Sequence, residues 1–248
     1  LPYNNIDILQ AAFKQYGSQI AGVIVEPIAG NMGCILPKPG FLETIRNLCD
    51  EYDSVCIFDE VITGFRVSLS GAQGLYNIRA DLTTLGKIIG GGMPVGAVGG
   101  KKEIMDQLAP LGPVYQAGTL SGNPVAMQAG LSTLNQLTQV GFYEQLKTQT
   151  DKLVDGIKQK AHKYNIPLCV NATIGLFSFF FTSQTQVNTF EQVMNCDQER
   201  FKHFYHNMLQ AGIYFAPSAF ECAFVSIEHN DTIINQTLDA FDTVFSQL

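Results

Sequence analysis

The chain has 248 residues, 46% of them hydrophobic and 15% charged, which is enough apolar content for a substantial core and too little charge for intrinsic disorder. Its 15 basic and 22 acidic residues leave a formal net charge of −7 with no Lys/Arg cluster, which argues against a nucleic-acid or anionic-membrane binder. No apolar stretch approaches the roughly 20 residues of a membrane helix, no basic-then-apolar leader opens the chain, and its six cysteines include no CxxC pair; the expectation is a cytoplasmic protein with reduced, mostly buried thiols and no metal site.

Residues 6–16 repeat apolar side chains at Ile6, Leu9, Phe13 and Tyr16, a helical period. Residues 20–25 are a short β-branched run and predict a buried strand. Residues 41–52 place Phe41, Leu42, Ile45, Leu48, Cys49 and Tyr52 on one face of a second helix. A second buried strand is predicted over 54–58, ending at Asp59, with further short strands over 82–85 and 95–98. A helix is predicted over 123–137, with Pro124 at a tolerated first-turn position. Such alternation predicts an α/β layer architecture for residues 1–137. From residue 138 the pattern changes. A long amphipathic helix over 142–164 precedes a hydrophobic strand over 175–182, a polar loop over 183–196 and a helix over 196–211. Short strands over 213–215 and 223–227 and a closing helix over 232–248 complete a smaller α+β domain spanning 138–248. The chain opens on Leu1 rather than Met, which fits a piece of something longer.

Two segments carry chemistry. In the first, TLGKIIGGGMPVGA over 84–97, Lys87 stands in a run whose glycines permit positive φ and close backbone approach to a ligand. A lysine set among apolar neighbours loses hydration and becomes nucleophilic, the route by which Schiff-base lysines arise. A P-loop is excluded, because Asp81 stands where its first glycine belongs and Ile88 follows the lysine. In the second, VCIFDEVITGFR over 55–66, Asp59 ends a buried strand, where ligands of open α/β sheets bind and where a carboxylate can pair with a cationic ring nitrogen. Taken singly, each has a plain alternative: a surface lysine in a glycine loop, and an aspartate capping a turn. His203 and His206 share a helix face without a third ligand and read as solvated.

Together, Phe58-Asp-Glu-Val61, Gly64, Arg66, Asp81, Lys87 and Gly91-Gly92 resemble the class III (fold type I) pyridoxal-phosphate aminotransferases. Within that family four features are most similar to the glutamate-1-semialdehyde aminomutases: Asn31 in EPIAGNMG over 26–33, the absence of a glycine directly before Arg66, the loop YQAGTLSGNP over 115–124, and Glu221 in APSAFECAFVS over 216–226, where a transaminase would want an arginine.

The resemblance implies part of a large mixed-sheet domain plus the small C-terminal domain, and a pyridoxal 5'-phosphate/pyridoxamine 5'-phosphate enzyme. It implies that Lys87 bonds the cofactor and shuttles a proton, that Asp59 holds the ring nitrogen, that Val61 packs on the ring face and that Asn31 bonds the ring hydroxyl. Gly118 and Thr119 would contact the phosphate held by a neighbouring subunit of a homodimer, and Glu221 would shape the catalytic site. The implied reaction converts glutamate 1-semialdehyde to 5-aminolevulinate, an intramolecular amino transfer in tetrapyrrole synthesis. Relatives carry an N-terminal segment, with a cofactor-phosphate loop and a gating loop, that these residues do not match. The expectation is therefore a C-terminal piece. The alternatives are a class III transaminase with a separate amino acceptor and a non-catalytic fragment of such an enzyme.

Overall fold

The computed structural model describes residues 1–248 and divides them into two compact units. Unit 1 holds Asn5–Pro27 and Lys38–Val140 together with Leu1; unit 2 holds Pro2–Asn4, Ile28–Pro37 and Gly141–Leu248. The sequence-based division at 137/138 differs from this one in where it cuts and in leaving residues 28–37 with the first half. Ala29 and Ile35 pair across a short bridge and pack with Phe180, Val187 and Val193, which brings that loop into unit 2.

In unit 1, strands β1 (Gly22–Val25), β2 (Val55–Asp59), β3 (Leu82–Leu85) and β4 (Ala97–Gly100) lie side by side in that order. The first three are parallel and β4 is antiparallel to β3. Helix α1 (Ile6–Tyr16) starts where the Asn5 side chain accepts the Ile8 amide at 3.0 Å, and it buries Leu9 and Phe13. Helix α2 (Phe41–Glu51) buries Phe41, Leu42, Ile45 and Cys49 of the predicted stripe and leaves Leu48 and the capping Tyr52 half-buried. Two short helices, α3 (Gly71–Tyr76) and α4 (Lys102–Met105), follow β2 and β4. Helix α3 carries two glycines and escaped prediction, since glycine is a poor helix former. Helix α5 (Pro124–Leu137) is opened by Pro124, with the Asn123 side chain capping the Ala126 amide at 2.9 Å.

Two strand expectations change. Strand β1 is not buried: it is the outermost strand of this sheet, and Ile24 is 63% exposed. The strand predicted over 95–98 moves to Ala97–Gly100, because pairing with β3 runs from Leu85↔Ala97 to Leu82↔Gly100. What pins β3 against β2 is largely polar. Asp81, buried at the start of β3, accepts the Cys56 amide at 2.6 Å and Arg46 Nη1 at 2.9 Å on one oxygen, and meets Lys101 Nζ at 2.7 Å with the other. Burial pushes its carboxyl up, but Lys101, the Cys56 amide and Arg46 outweigh that and hold it below the usual carboxylate range.

In unit 2, helix α6 (Phe142–Lys163) precedes strands β5 (Leu168–Thr173) and β6 (Leu176–Phe181). Helices α7 (Phe190–Met194) and α8 (Gln198–Gln210), strand β7 (Ala223–Phe224) and helix α9 (Asp231–Phe245) follow. The strands form an antiparallel sheet of order β5-β6-β7. All six residues of β6 are buried, because both faces of the strand are covered. Phe177, Phe179 and Phe181 join the core beneath α6, α8 and α9, while Phe180 packs with Ala29, Ile35 and Val193 on the other side. The Phe179 ring lies 4.9 Å from Phe204 and 5.9 Å from Phe241 between centroids, both edge-on.

The polar loop predicted over 183–196 contains α7, capped by Thr189 at the Gln192 amide. No strand forms over 213–215; Phe215 packs instead against Phe179 as part of the core. The strand predicted over 223–227 shortens to the two residues of β7, where pairing with β6 ends. All six cysteines are buried and free, and no helix is long and apolar enough to cross a membrane.

Candidate active site

Asp59 is the last residue of β2, at the carboxyl end of the parallel strands, and is half-buried. Its Oδ1 accepts two hydrogen bonds, from the Val61 amide at 3.1 Å and from Thr84 Oγ1 at 3.0 Å, whereas Oδ2 receives none from the chain. Strand register makes Asp59 and Thr84 direct partners, which brings Lys87, three residues further on, to the same end of the sheet.

Lys87 follows the extended Gly86 and opens a single 3₁₀ turn, Lys87–Gly90, with its own φ at +46°. A lysine in this left-handed region costs on the order of 1 kcal/mol, the kind of backbone strain that clusters at functional sites. Val61 lies over Gly86: a Cβ added to that glycine would come within 3.3 Å of Val61 Cγ1. The β2 and β3 ends therefore bring together Asp59, Val61, Thr84 and the backbone bearing Lys87.

Not every glycine here serves a ligand. The turn rests on α5, and a side chain on Gly91, whose φ is +56°, would strike the Ala129 carbonyl. Gly130 of α5 makes the reciprocal close approach to the Ile89 carbonyl. Part of the glycine density read as ligand approach is thus helix packing. A second expectation also changes: Lys87 is exposed in this chain, not enclosed by apolar neighbours. The neighbouring Ile88 and Ile89 are the half-buried side chains of the turn, so packing on α5 uses them and leaves the lysine on the open side.

Gly118 and Thr119 are exposed and lie in a turn closed by the Ser121 amide on the Gly118 carbonyl at 3.0 Å. Gly118 lines a cavity of about 530 Å³ with Pro94, Val95, Ser121 and Met127; neither Lys87 nor Thr119 borders it. The structure does not bond either turn residue to Asp59 or Lys87.

Asn31 and Glu221 belong to unit 2, and both are exposed. Their loops are held side by side: the Gly33 amide donates to the Phe220 carbonyl at 2.6 Å, and Ser178 Oγ donates to the Glu221 carbonyl at 3.4 Å while accepting the Cys34 amide at 2.8 Å. A hydrogen bond with the Cys222 thiol, then burial, push the Cys34 thiol well above its ordinary range.

Sequence reasoning missed Thr84 and Glu60. Glu60 is 1% exposed, and its carboxylate accepts from the Ala72 amide at 2.6 Å, Gln73 Nε2 at 3.0 Å and Thr63 Oγ1 at 3.1 Å. The available signal was the pairing of two dipeptides at strand ends, Asp59-Glu60 and Thr83-Thr84, whose successive side chains face opposite sides of a sheet.

A family model described as aminotransferase class-III matches residues 3–243. Among solved structures, an omega-transaminase from Sphaerobacter thermophilus superposes with a TM-score of 0.91 at 30% identity, over 99% of this chain and 56% of that one. A β-phenylalanine aminotransferase from Variovorax paradoxus gives 0.87 at 30% identity, over 98% of this chain and 56% of that one. A glutamate-1-semialdehyde-aminomutase from Pseudomonas aeruginosa PAO1, in complex with PMP, gives 0.88 at 19% identity, over 100% and 56%, a likeness of fold. The chain thus spans a little over half the length of the structures it matches.

Proposed function

This chain belongs to the class-III aminotransferase family, and on that premise we propose that it is the lysine-bearing part of an enzyme that moves amino groups with pyridoxal 5'-phosphate. The carrying observation is the meeting of Asp59, Thr84 and the Lys87 backbone at the carboxyl ends of β2 and β3. The donor set fits the cofactor. Two donors occupy Asp59 Oδ1 and leave Oδ2 for a ring N–H, and Val61 offers an apolar surface beside Gly86 for the ring face.

When bound, the cofactor supplies an electron sink that lets an amino group change carbon. Lys87 would be the residue that holds the cofactor, and its free amine would be the group that moves a proton between the two carbons of the reacting pair. Asp59 holds the ring nitrogen protonated by charge. Asn31 takes the ring hydroxyl, and Gly118 and Thr119 hold a phosphate across the interface of a homodimer, a role suited to their exposure and their separateness from Lys87.

The finer reading is glutamate-1-semialdehyde 2,1-aminomutase, with that aldehyde as the substrate and no separate acceptor. Its support is the set of Asn31, the spacing from Asp59 to Arg66, the loop over 115–124 and Glu221, an acid where a substrate carboxylate would otherwise want a cation. A second reading, a transaminase with a separate amino acceptor, is favoured by the 30% identity to the two transaminases against 19% to the aminomutase.

Visible absorbance after adding pyridoxal phosphate, before and after borohydride, tests the common part: a reducible band that disappears in Lys87→Ala is expected. Conversion of glutamate 1-semialdehyde without an acceptor then supports the aminomutase. A strict requirement for 2-oxoglutarate or another oxo acid supports the transaminase. Wild-type protein that folds but gives no band at all would leave this chain a non-catalytic part of its family.

A further inference from the structure

The two threonines of β3 are used on opposite sides of the sheet. Thr83 Oγ1 accepts from Gln73 Nε2 at 2.9 Å, whereas Thr84 Oγ1 donates to Asp59 Oδ1 at 3.0 Å. Asp59 Oδ1 also accepts the Val61 amide, so both lone pairs of that oxygen are engaged and both of the other oxygen are free. The terminal torsion of an aspartate is broad and two-fold, and one amide does not by itself decide how the carboxylate plane lies. The second donor decides it.

Thr84 can act this way because its backbone does not drift. The Glu60 amide donates to the Thr84 carbonyl at 3.0 Å, and the Glu60 carboxylate is pinned by the amides and side chain of the turn into α3. Gln73 completes the clamp by bridging Glu60 to Thr83 and accepting the Ala80 amide at 2.9 Å. A side chain at Gly71 would collide with the Glu60 carboxylate, so the turn closes on Glu60 only with glycine there.

We propose that Thr84 is a positioning residue: its hydroxyl holds one oxygen of Asp59 and thereby dedicates the other to the ring nitrogen of the cofactor. The proposal rests on the cofactor reading above. It makes Thr84 more than a β-branched residue in a strand, and valine, which keeps the shape and loses only the hydroxyl donor, separates the two roles.

The test uses the intact protein, with pyridoxal phosphate binding read by the Lys87-dependent absorbance and steady-state kinetics beside it. Thr84→Val is expected to melt with the wild type, to hold pyridoxal phosphate about tenfold or more weakly, and to lose kcat by a similar factor with the KM for the amino substrate unchanged. Thr84→Ser, which restores the hydroxyl, is expected to recover both. Should valine disturb the strand, Thr84→Ala against Thr84→Ser reads the same difference. A folded hydroxyl-free variant with wild-type affinity and kcat overturns the proposal while leaving the cofactor reading intact. A wild-type protein with no Lys87-dependent band overturns the cofactor reading and this proposal together.

Discussion

The two units are stabilised by different physics. Unit 2 is closed by apolar packing: every residue of β6 is buried, and Phe179 has aromatic neighbours from β6, α8, α9 and the segment after Gly212. Unit 1 is an open sheet whose inner junction is tied by polar groups, Asp81 with Arg46 and Lys101 at one end of β3 and the Glu60–Gln73 clamp near the other. Large apolar side chains stay in solvent there, among them Leu111 at 76%, Tyr115 at 82% and Leu120 at 71%. The difference teaches where rigidity is spent. The unit carrying Lys87 and Asp59 fixes a few oxygens by hydrogen bonds, while the other unit sets its two loops on a dense aromatic core and ties them through Ser178 and the Gly33 amide.

That contrast can be broken most strongly at Phe179. Phe179→Ala should cost about 3–5 kcal/mol and shift the urea midpoint of unit 2, leaving a cavity that the surrounding rings cannot fill. A loss below about 1 kcal/mol would mean that the aromatic cluster is loosely packed and the comparison wrong.

The polar tie in unit 1 should be worth less and should depend on pH. Asp81→Asn is expected to cost about 2 kcal/mol near neutrality. Because the folded state holds the Asp81 carboxyl below its unfolded value, its contribution is fully present above about pH 4 and is lost as the pH falls through the folded value. Wild type and Asp81→Asn should therefore converge in stability on acidification, as read by denaturant unfolding at stepped pH. Parallel curves across that range would remove Asp81 from the account of unit 1.

The smallest effect belongs to a helix end. The Asn230 side chain accepts the Thr232 and Ile233 amides at the start of α9. Asn230→Ala should lower the melting temperature by the equivalent of about 1 kcal/mol without touching cofactor binding, so it calibrates the other two.

Much of the scaffold was legible beforehand. Helices α1, α2, α5, α6, α8 and α9 follow from apolar period, with Pro124 opening α5, interactions confined to neighbouring residues; the caps Asn5, Asn123 and Asp197 were seen only in the structure. Strand β5 was not legible, because its sequence LCVNAT mixes polar and apolar residues and becomes a strand by pairing with β6 along its whole length. The segment over 213–215 shows the reverse, an apolar run that looks like a strand and finds no pairing partner.

At the candidate site the same boundary appears. Asp59 and Lys87 could be singled out from residue type and position, because a carboxylate at a strand end and a lysine among glycines are local facts. Which oxygen of Asp59 is engaged, that Thr84 engages it, that Gly91 answers to α5 and that Lys87 stands exposed were all decided by strand register and helix seating. The sequence by itself determined the six longer helices and which residue types can bear the chemistry, since those choices are set within a few turns of chain, whereas the short α3, α4 and α7 were not legible. The tertiary structure alone decided the hydrogen-bond partners at the site and the burial of residues outside the periodic stripes, since both depend on groups tens of residues away whose arrival no local pattern encodes.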